Sequence, residues 1–242
     1  MSALYNFKPA LTLPVSDTFV AKVEEWCANL YTDQFKNVPR WEDQFVNENL
    51  DARVAGDKEI VLTRYGLNNP NGFADGSNLA SSFWCITGPG LYDYMPWYQP
   101  MEDFLLAEGL TSHLSFPCIL VANGYVRKHT DVGRNTVINY DLFGSNNLAW
   151  GISYEDTYDI DQPTIPGSEH YDETYDYDPD HCVLMDVSRF HGGYLQDGII
   201  SAPRAAINHG FLETFNVCKS KFEEMDSNGK LAELQLLLNS NT

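Results

Sequence analysis

Between residues 116 and 212 the chain consists of short β-prone runs separated by turn residues, and this pattern restricts the fold more than any other feature. Residues 117–122 are largely apolar, and Asn123-Gly124 joins them to a second run at 125–129. An Asn-Gly pair between two such runs is the strongest short-range signal of a β-hairpin. The same composition predicts further strands at 136–143, 148–153, 182–187, 193–195 and 204–212.

Helices are predicted on both sides of this region. In residues 16–35 apolar side chains, including Phe19, Val23 and Trp26, recur at helical spacing behind an N-cap at Ser16 or Asp17. The remaining predictions are helices at 101–108, 216–225 and 230–238, and strands at 59–64 and 81–87. Many short strands framed by helices favour a mostly β fold, an antiparallel sandwich or barrel with helical support.

The chain is strongly acidic, with 34 Asp and Glu against 15 Lys and Arg and a formal charge of −19. This charge repels nucleic-acid phosphates and anionic lipid, so neither nucleic acid nor a membrane surface is an expected partner. Residues 154–180 contain ten acids and no Lys or Arg. They predict a solvated insertion loop or, as the alternative, a docking surface for a basic partner. An EF-hand at 176–187 is rejected because His181 and Val187 replace its Gly and Glu.

The cysteines and the chain start indicate a compartment. The five cysteines are odd in number and form no Cys-x-x-Cys pair, so they are expected to be buried thiols in a reducing environment. No basic segment followed by an apolar run opens the chain, and no stretch approaches about 18 apolar residues. The sequence therefore predicts a cytoplasmic chain without a membrane span.

Three short segments suggest a metal site. His129-Thr-Asp131 puts two ligands on one side of a strand end, because side chains alternate along a strand. His191 lies at the end of another predicted strand, and Arg204 begins a third strand thirteen residues later. Two imidazoles and one carboxylate bind one face of Fe(II) and leave three positions open. An arginine suits the far carboxylate of a dicarboxylate co-substrate such as 2-oxoglutarate.

On these residues the chain resembles the Fe(II)/2-oxoglutarate-dependent oxygenases, in particular the aspartyl/asparaginyl and prolyl hydroxylase-like branches of bacteria and phages. The resemblance is carried by GYVRKHTDVGRNTVINYDLFG, CVLMDVSRFHGG and SAPRAAINHGF. It implies a double-stranded β-helix, or jelly roll, in a single domain of residues 1–242. Within that domain, 1–115 would form a support region, 116–215 the core, and 216–242 the C-terminal helices.

The resemblance also implies the site and the activity. His129, Asp131 and His191 would ligate iron and be catalytic, and Arg204 would bind the distal carboxylate of 2-oxoglutarate. With O2 as the second co-substrate, the chain would hydroxylate a substrate that includes an amino-acid side chain among its candidates. Asp186, five residues before His191, also matches the family pattern.

Several residues keep more than one interpretation. Arg134 could bind co-substrate or substrate, or pair with an acid of the insertion, while Asn139 and Tyr125 could line the pocket or pack in the core. The alternative distal pair is His209 with Lys219, because some family members use Lys. The residues expected to be structural or at the surface are His113, His170, His181 and, in the core, Trp150.

Two other functions remain open. One is a non-catalytic jelly roll with a vestigial metal site and a binding or viral structural role. The other is a cupin-like metalloenzyme that uses the same ligands without 2-oxoglutarate.

Overall fold

The computed structural model describes residues 2–7, 11–30, 48–49, 60–66, 82–122, 126–131, 133–143, 148–154, 171–175, 182–195 and 204–242. In these ranges the helices are α1 (Asp17–Leu30), α2 (Tyr98–Ala107), α3 (Phe215–Ser227) and α4 (Lys230–Ser240), with a 3-10 helix at Pro89–Asp93. The strands are β1 (Leu4–Asn6), β2 (Glu48–Asn49), β3 (Val61–Gly66), β4 (Ser82–Thr87), β5 (Cys118–Ala122), β6 (Val126–His129), β7 (Thr136–Phe143), β8 (Leu148–Ser153), β9 (Glu173–Tyr175), β10 (Val183–Asp186), β11 (Phe190–Leu195) and β12 (Arg204–Phe211).

The strands form two antiparallel sheets. The larger sheet has the order β1-β10-β7-β12-β5-β4-β3-β2, and the smaller has the order β6-β11-β8-β9. The strands from β5 to β12 divide evenly between the two sheets, so the chain crosses repeatedly from one to the other. Side chains from both sheets meet in the space between them, where they line a cavity.

Alternation along the strands assigns the two faces of the larger sheet. On β12, Ala205 and Ile207 join the core that contains the helices, whereas Arg204 and Asn208 line the cavity. On β5, Ile119 faces the same helical core. Because side chains alternate with a period of two, one strand supplies both a core face and a site face. Burial on both faces explains why every residue of β12 is buried.

Helices cover the outer face of the larger sheet. Phe19, Val23 and Trp26 of α1 are at most 1% exposed and belong to the core that also contains Phe222 of α3. Each such side chain contributes roughly 1.5–3 kcal/mol when fully buried. Ser16 Oγ accepts the N–H of Phe19 at 3.2 Å, as expected for an N-cap. The helical core therefore stabilises the sheet from outside and leaves its inner face to the cavity.

The main elements predicted from the sequence are confirmed, with shifted ends. The strands predicted at 136–143 and 148–153 have these bounds, and the helix predicted at 101–108 begins at Tyr98 because Pro100 fits a first helical turn. The interpretation of 154–180 as a loop is wrong at Glu173–Tyr175, which pairs with β8. The turn at 123–125 and most of the acidic stretch lie outside the described residues.

Two further expectations can be compared with the structure. All five cysteines are free and buried, which confirms their interpretation as small core side chains. No helix in the described part of the chain is both long enough and apolar enough to cross a membrane.

Candidate metal centre

A cavity between the two sheets contains most of the residues that the motifs identified. Its empty volume is about 540 Å³ including the open mouth, within the range of small-molecule sites. Its lining consists of Leu120, His129, Asp131, Arg134, Val137, Asn139, Trp150, Met185, Val187, His191, Arg204, Ala206 and Asn208. The cavity therefore combines apolar walls with a small set of charged and polar groups.

Strand pairing brings His129, Asp131 and His191 together. His129 ends β6 and lies opposite His191 on the neighbouring strand β11, with ring centroids 4.4 Å apart. Asp131 Oδ1 lies 3.5 Å from His129 Nε2 and 3.8 Å from His191 Nε2. One ligand atom from each residue lies within 4.8 Å of the others. Among the described residues, this is the cluster of His, Cys, Asp and Glu that could hold a metal.

Local contacts prepare the ligand atoms of His191 and Asp131. The Nδ1–H of His191 donates to the main-chain carbonyl of Arg189 at 2.9 Å, which leaves Nε2 facing Asp131. Burial, reinforced by the neighbouring His129, lowers the pKa of His191 to about 4. Burial alone would raise the pKa of Asp131, but the charge of Arg134 and contacts with both histidines hold it well below its usual range. At neutral pH both groups are thus in the protonation state that binds metal.

Arg134 binds the oxygen of Asp131 that faces away from the histidines. Its Nε donates to Asp131 Oδ2 at 2.7 Å, and its Nη1 donates to Asn208 Oδ1. The side chain is 13% exposed. The carboxylate of Asp131 is therefore shared between the cluster and an arginine.

Arg204 lines the same cavity and is buried with a carboxylate partner. Its Nε donates to Asp141 Oδ1 at 2.7 Å and its Nη2 binds the same oxygen, while Tyr175 donates its hydroxyl to Asp141 Oδ2 at 3.1 Å. The rings of Trp150 and Tyr175 lie 5.7 and 5.8 Å from its guanidinium carbon, within cation–π range. The guanidinium thus has a defined orientation without a ligand.

The other predicted pocket residues divide into two groups. Asn139 lines the cavity, and its Oδ1 lies 3.4 Å from Asn208 Nδ2. Tyr125, like His170 and His181, lies outside the described residues. Asp186 accepts hydrogen bonds from Ser188 and Arg189 in the turn that precedes β11.

The alternative pair of His209 and Lys219 does not line the cavity. His209 belongs to the opposite face of β12, with its Nδ1 2.7 Å from the Tyr98 hydroxyl and its Nε2 3.2 Å from Ser112 Oγ. Lys219 lies on α3, 3.9 Å from Glu223. His113 is a partly buried residue whose N–H donates to the carbonyl of Gly210.

Four site residues were not identified from the sequence. Asp141 and Tyr175 hold Arg204, and Asn208 holds Arg134. Trp150, which the sequence placed in the core, lines the cavity with its ring 6.4 Å from that of His191. The period of two on β7 and β12 would have placed Asp141 on the face of Asn139, and Asn208 on the face of Arg204.

The donor set fits a divalent transition metal. Ligand atoms about 2.1 Å from a metal and at right angles lie about 3.0 Å apart, so the observed spacing requires shifts of under about 2 Å. Two imidazoles and a carboxylate with open positions are the ligand type of non-haem Fe(II) oxygenases. Trp150 adds a second indication, because its buried Nε1–H has no acceptor in the described part of the chain. Such an orphaned donor beside a cavity is suited to an oxygen of a bound molecule.

Comparisons with known proteins add likenesses of fold. No protein-family model and no curated protein sequence matches the chain. It is similar to a Pseudomonas putida prolyl-4-hydroxylase (9% identity, 87% of this chain and 92% of that one, TM-score 0.39). It is also similar to the non-heme alpha ketoglutarate dependent epimerase SnoN (10% identity, 88% and 79%, TM-score 0.43). A third likeness is to the Escherichia coli ribosomal oxygenase YcfD (11% identity, 72% of this chain, TM-score 0.37), of which the chain spans 46%. At such identities and TM-scores, the chemistry of the cavity decides what this chain can do.

Proposed function

We propose that this chain is an Fe(II)- and 2-oxoglutarate-dependent dioxygenase with a jelly-roll core, and that it hydroxylates an organic substrate, with an amino-acid side chain as the favoured class. The observation that carries the proposal is the convergence of two imidazoles, one carboxylate and a buried arginine on one cavity. This set offers one face to a metal and one cation to a dicarboxylate.

The strand order supports the jelly-roll core. If β5 to β12 are numbered one to eight, the two sheets have the orders 6-3-8-1 and 2-7-4-5. An eight-stranded double sheet in which spatial neighbours come from distant parts of the chain is typical of a jelly roll. The strands β1 to β4 extend the larger sheet beyond this core at its two edges.

His129, Asp131 and His191 would hold the iron. When bound, Fe(II) supplies O2 activation coupled to the oxidative decarboxylation of 2-oxoglutarate to succinate, which drives substrate hydroxylation. The chain contributes a neutral His191 and an ionised Asp131, so neither ligand has to release a proton at neutral pH. The carbonyl of Arg189 keeps Nε2 of His191 directed at the site.

Arg204 and Trp150 would bind the far carboxylate of the co-substrate. Asp141 and the flanking rings hold Arg204 in place before a ligand arrives, which reduces the entropy lost on binding. The Trp150 ring lies close to both Arg204 and His191, so a molecule that extends from the metal to Arg204 passes along it. The orphaned Nε1–H of Trp150 would then gain an acceptor.

The apolar walls of the cavity serve a separate purpose. Leu120, Val137, Met185 and Val187 line it together with the charged groups. Their side chains limit the water around the reacting centre, which strengthens electrostatic interactions there and suppresses side reactions.

The direct test is succinate formation from 2-oxoglutarate, measured with and without Fe(II) and O2 under reducing conditions. We expect turnover that requires all three and is lost in His129→Ala, because the metal then loses one of three protein ligands. Arg204→Met is expected to raise the KM for 2-oxoglutarate at least tenfold, since about 1.4 kcal/mol corresponds to each factor of ten. Lys219→Met is the control, because this residue lies on α3 away from the cavity lining.

Other outcomes separate the competing functions. Failure to bind Fe(II) or Co(II), or binding that is unchanged in His129→Ala, would favour a non-catalytic jelly roll. Metal binding that depends on His129 but is indifferent to 2-oxoglutarate and to Arg204→Met would favour a cupin-like metalloenzyme.

A further inference from the structure

We infer that Arg134 is a positioning residue that restricts Asp131 to one metal-binding oxygen. This inference rests on the proposed function and gives Arg134 a role other than contact with the co-substrate. Arg134 holds Asp131 Oδ2, whereas Asp131 Oδ1 faces both histidines. The two oxygens of one carboxylate are thereby assigned to different partners.

The loop that carries Arg134 is built to make this contact. Gly133 has a φ of +88°, a left-handed conformation that side chains disfavour, and it turns the chain so that Arg134 reaches back to Asp131. The N–H of Asp131 donates to the carbonyl of Val187, and the N–H of Asn135 donates to that of Phe211, both at 3.1 Å. The loop is thus fastened to two neighbouring segments on either side of the ion pair.

The arginine itself is fixed along its length. Its aliphatic stem crosses Gly210 on β12, where an added Cβ would lie only 2.8 Å from Arg134 Cδ. Its head is bound by Asp131 through Nε and by Asn208 through Nη1. A side chain held at the stem and at two head nitrogens has little freedom to turn toward an incoming carboxylate.

Coordination arithmetic gives the chemical consequence. In a six-coordinate site, two histidines and one carboxylate oxygen use three positions and leave three. A 2-oxo acid that chelates through its keto-acid end occupies two of them, and one remains for O2. If both oxygens of Asp131 bound the metal, the chelate would fill the last two positions. By holding Oδ2, Arg134 keeps the sixth position available.

The test uses Co(II), whose visible absorption reports coordination number and geometry without turnover. In Arg134→Met we expect a changed Co(II) spectrum and at least a tenfold lower kcat at saturating metal and 2-oxoglutarate, while the KM for 2-oxoglutarate changes less than threefold. Arg134→Lys retains one donor and is expected to restore part of the spectrum. Gly210→Ala pushes on the Arg134 stem without removing its charge, so it should shift the spectrum in the same direction even if Arg134→Met does not fold.

The matched control is Arg189→Met. Arg189 makes the same i,i+3 contact, with Nε 3.0 Å from Asp186 Oδ2, but its side chain is 44% exposed and does not line the cavity. We expect its Co(II) spectrum to equal that of the unaltered protein.

Two results would overturn the inference. An unchanged Co(II) spectrum in both Arg134→Met and Gly210→Ala would show that Arg134 does not control Asp131. A KM for 2-oxoglutarate raised tenfold or more with an unchanged spectrum would make Arg134 a co-substrate ligand. Failure of the unaltered protein to bind Co(II) would instead refute the proposed function, and this inference with it.

Discussion

The buried ion pair between Arg204 and Asp141 allows a quantitative test of the cavity. The Asp141 side chain is 0% exposed and that of Arg204 is 2% exposed, and two nitrogens of the guanidinium bind one carboxylate oxygen. Asp141→Asn keeps the shape of the side chain and removes its charge, so Arg204 loses its counter-charge in a site that water barely reaches. Removing one partner of a buried pair costs about 3–5 kcal/mol. We expect a loss near the lower end, about 3 kcal/mol, because the amide oxygen can still accept from Arg204.

A double-mutant cycle separates the pair from its surroundings. Arg204→Met alone leaves Asp141 without a cation and should also destabilise the protein by about 3 kcal/mol. The double variant contains no uncompensated charge, so its loss should fall at least about 2 kcal/mol short of the sum of the single losses. The assay is equilibrium urea unfolding of metal-free protein, followed by circular dichroism.

A surface pair provides the control for this cycle. Lys219 and Glu223 lie 3.9 Å apart and are 35% and 52% exposed. Because exposed ion pairs contribute little, Glu223→Gln should change the free energy of unfolding by less than about 0.5 kcal/mol. Additive losses in the Asp141/Arg204 cycle, within about 0.5 kcal/mol, would refute the claim that the two charges depend on each other.

Three further predictions follow from other groups around the site. Trp150→Phe should raise the KM for 2-oxoglutarate about 3- to 20-fold without changing Co(II) affinity, since one hydrogen bond to a charged group is worth about 1–2 kcal/mol; an unchanged KM would exclude this contact. Burial lowers the pKa of His209 from 6.5 to about 4. The unfolded state therefore takes up a proton first, and stability present above pH 6.5 is lost as the pH falls toward 4, by about 2 kcal/mol at pH 5. His209→Gln should remove this part of the pH dependence, and identical urea midpoints from pH 7 to 5 in both proteins would contradict it. Finally, 2-oxoglutarate should tighten Co(II) binding by the same factor by which Co(II) tightens 2-oxoglutarate binding, as measured by calorimetry.

The helices and most strands could be predicted because their signals are local. The spacing of Phe19, Val23 and Trp26 indicates one buried helical face, and the alternating run 136–143 indicates a strand. β9 was not predicted, because acidic residues surround its three residues and the apolar content around Tyr175 is low. What makes Glu173–Tyr175 a strand is its pairing with β8, a contact that the local sequence does not contain.

The site shows the same division between local and distant information. His129 and Asp131 could be paired from the sequence because they lie two residues apart on one strand end. The partner of Arg204 could not, because Asp141 is 63 residues away and becomes its neighbour only when β12 pairs with β7. Trp150 was assigned to the core on its apolar character, whereas its position on β8 directs it to the cavity.

The charge of the whole chain and the charge of the cavity are independent quantities. The chain carries −19, yet the four ionised side chains at the site form two pairs, Asp131 with Arg134 and Asp141 with Arg204, whose charges cancel. Surface charges are screened within about 8 Å at physiological salt, whereas buried charges are screened much less. A dianion that enters the metal-free cavity would therefore remain uncompensated, and only a bound dication makes the sum zero again. This balance predicts that 2-oxoglutarate binds weakly to the metal-free chain, and that the metal, rather than Arg204 alone, provides most of the attraction.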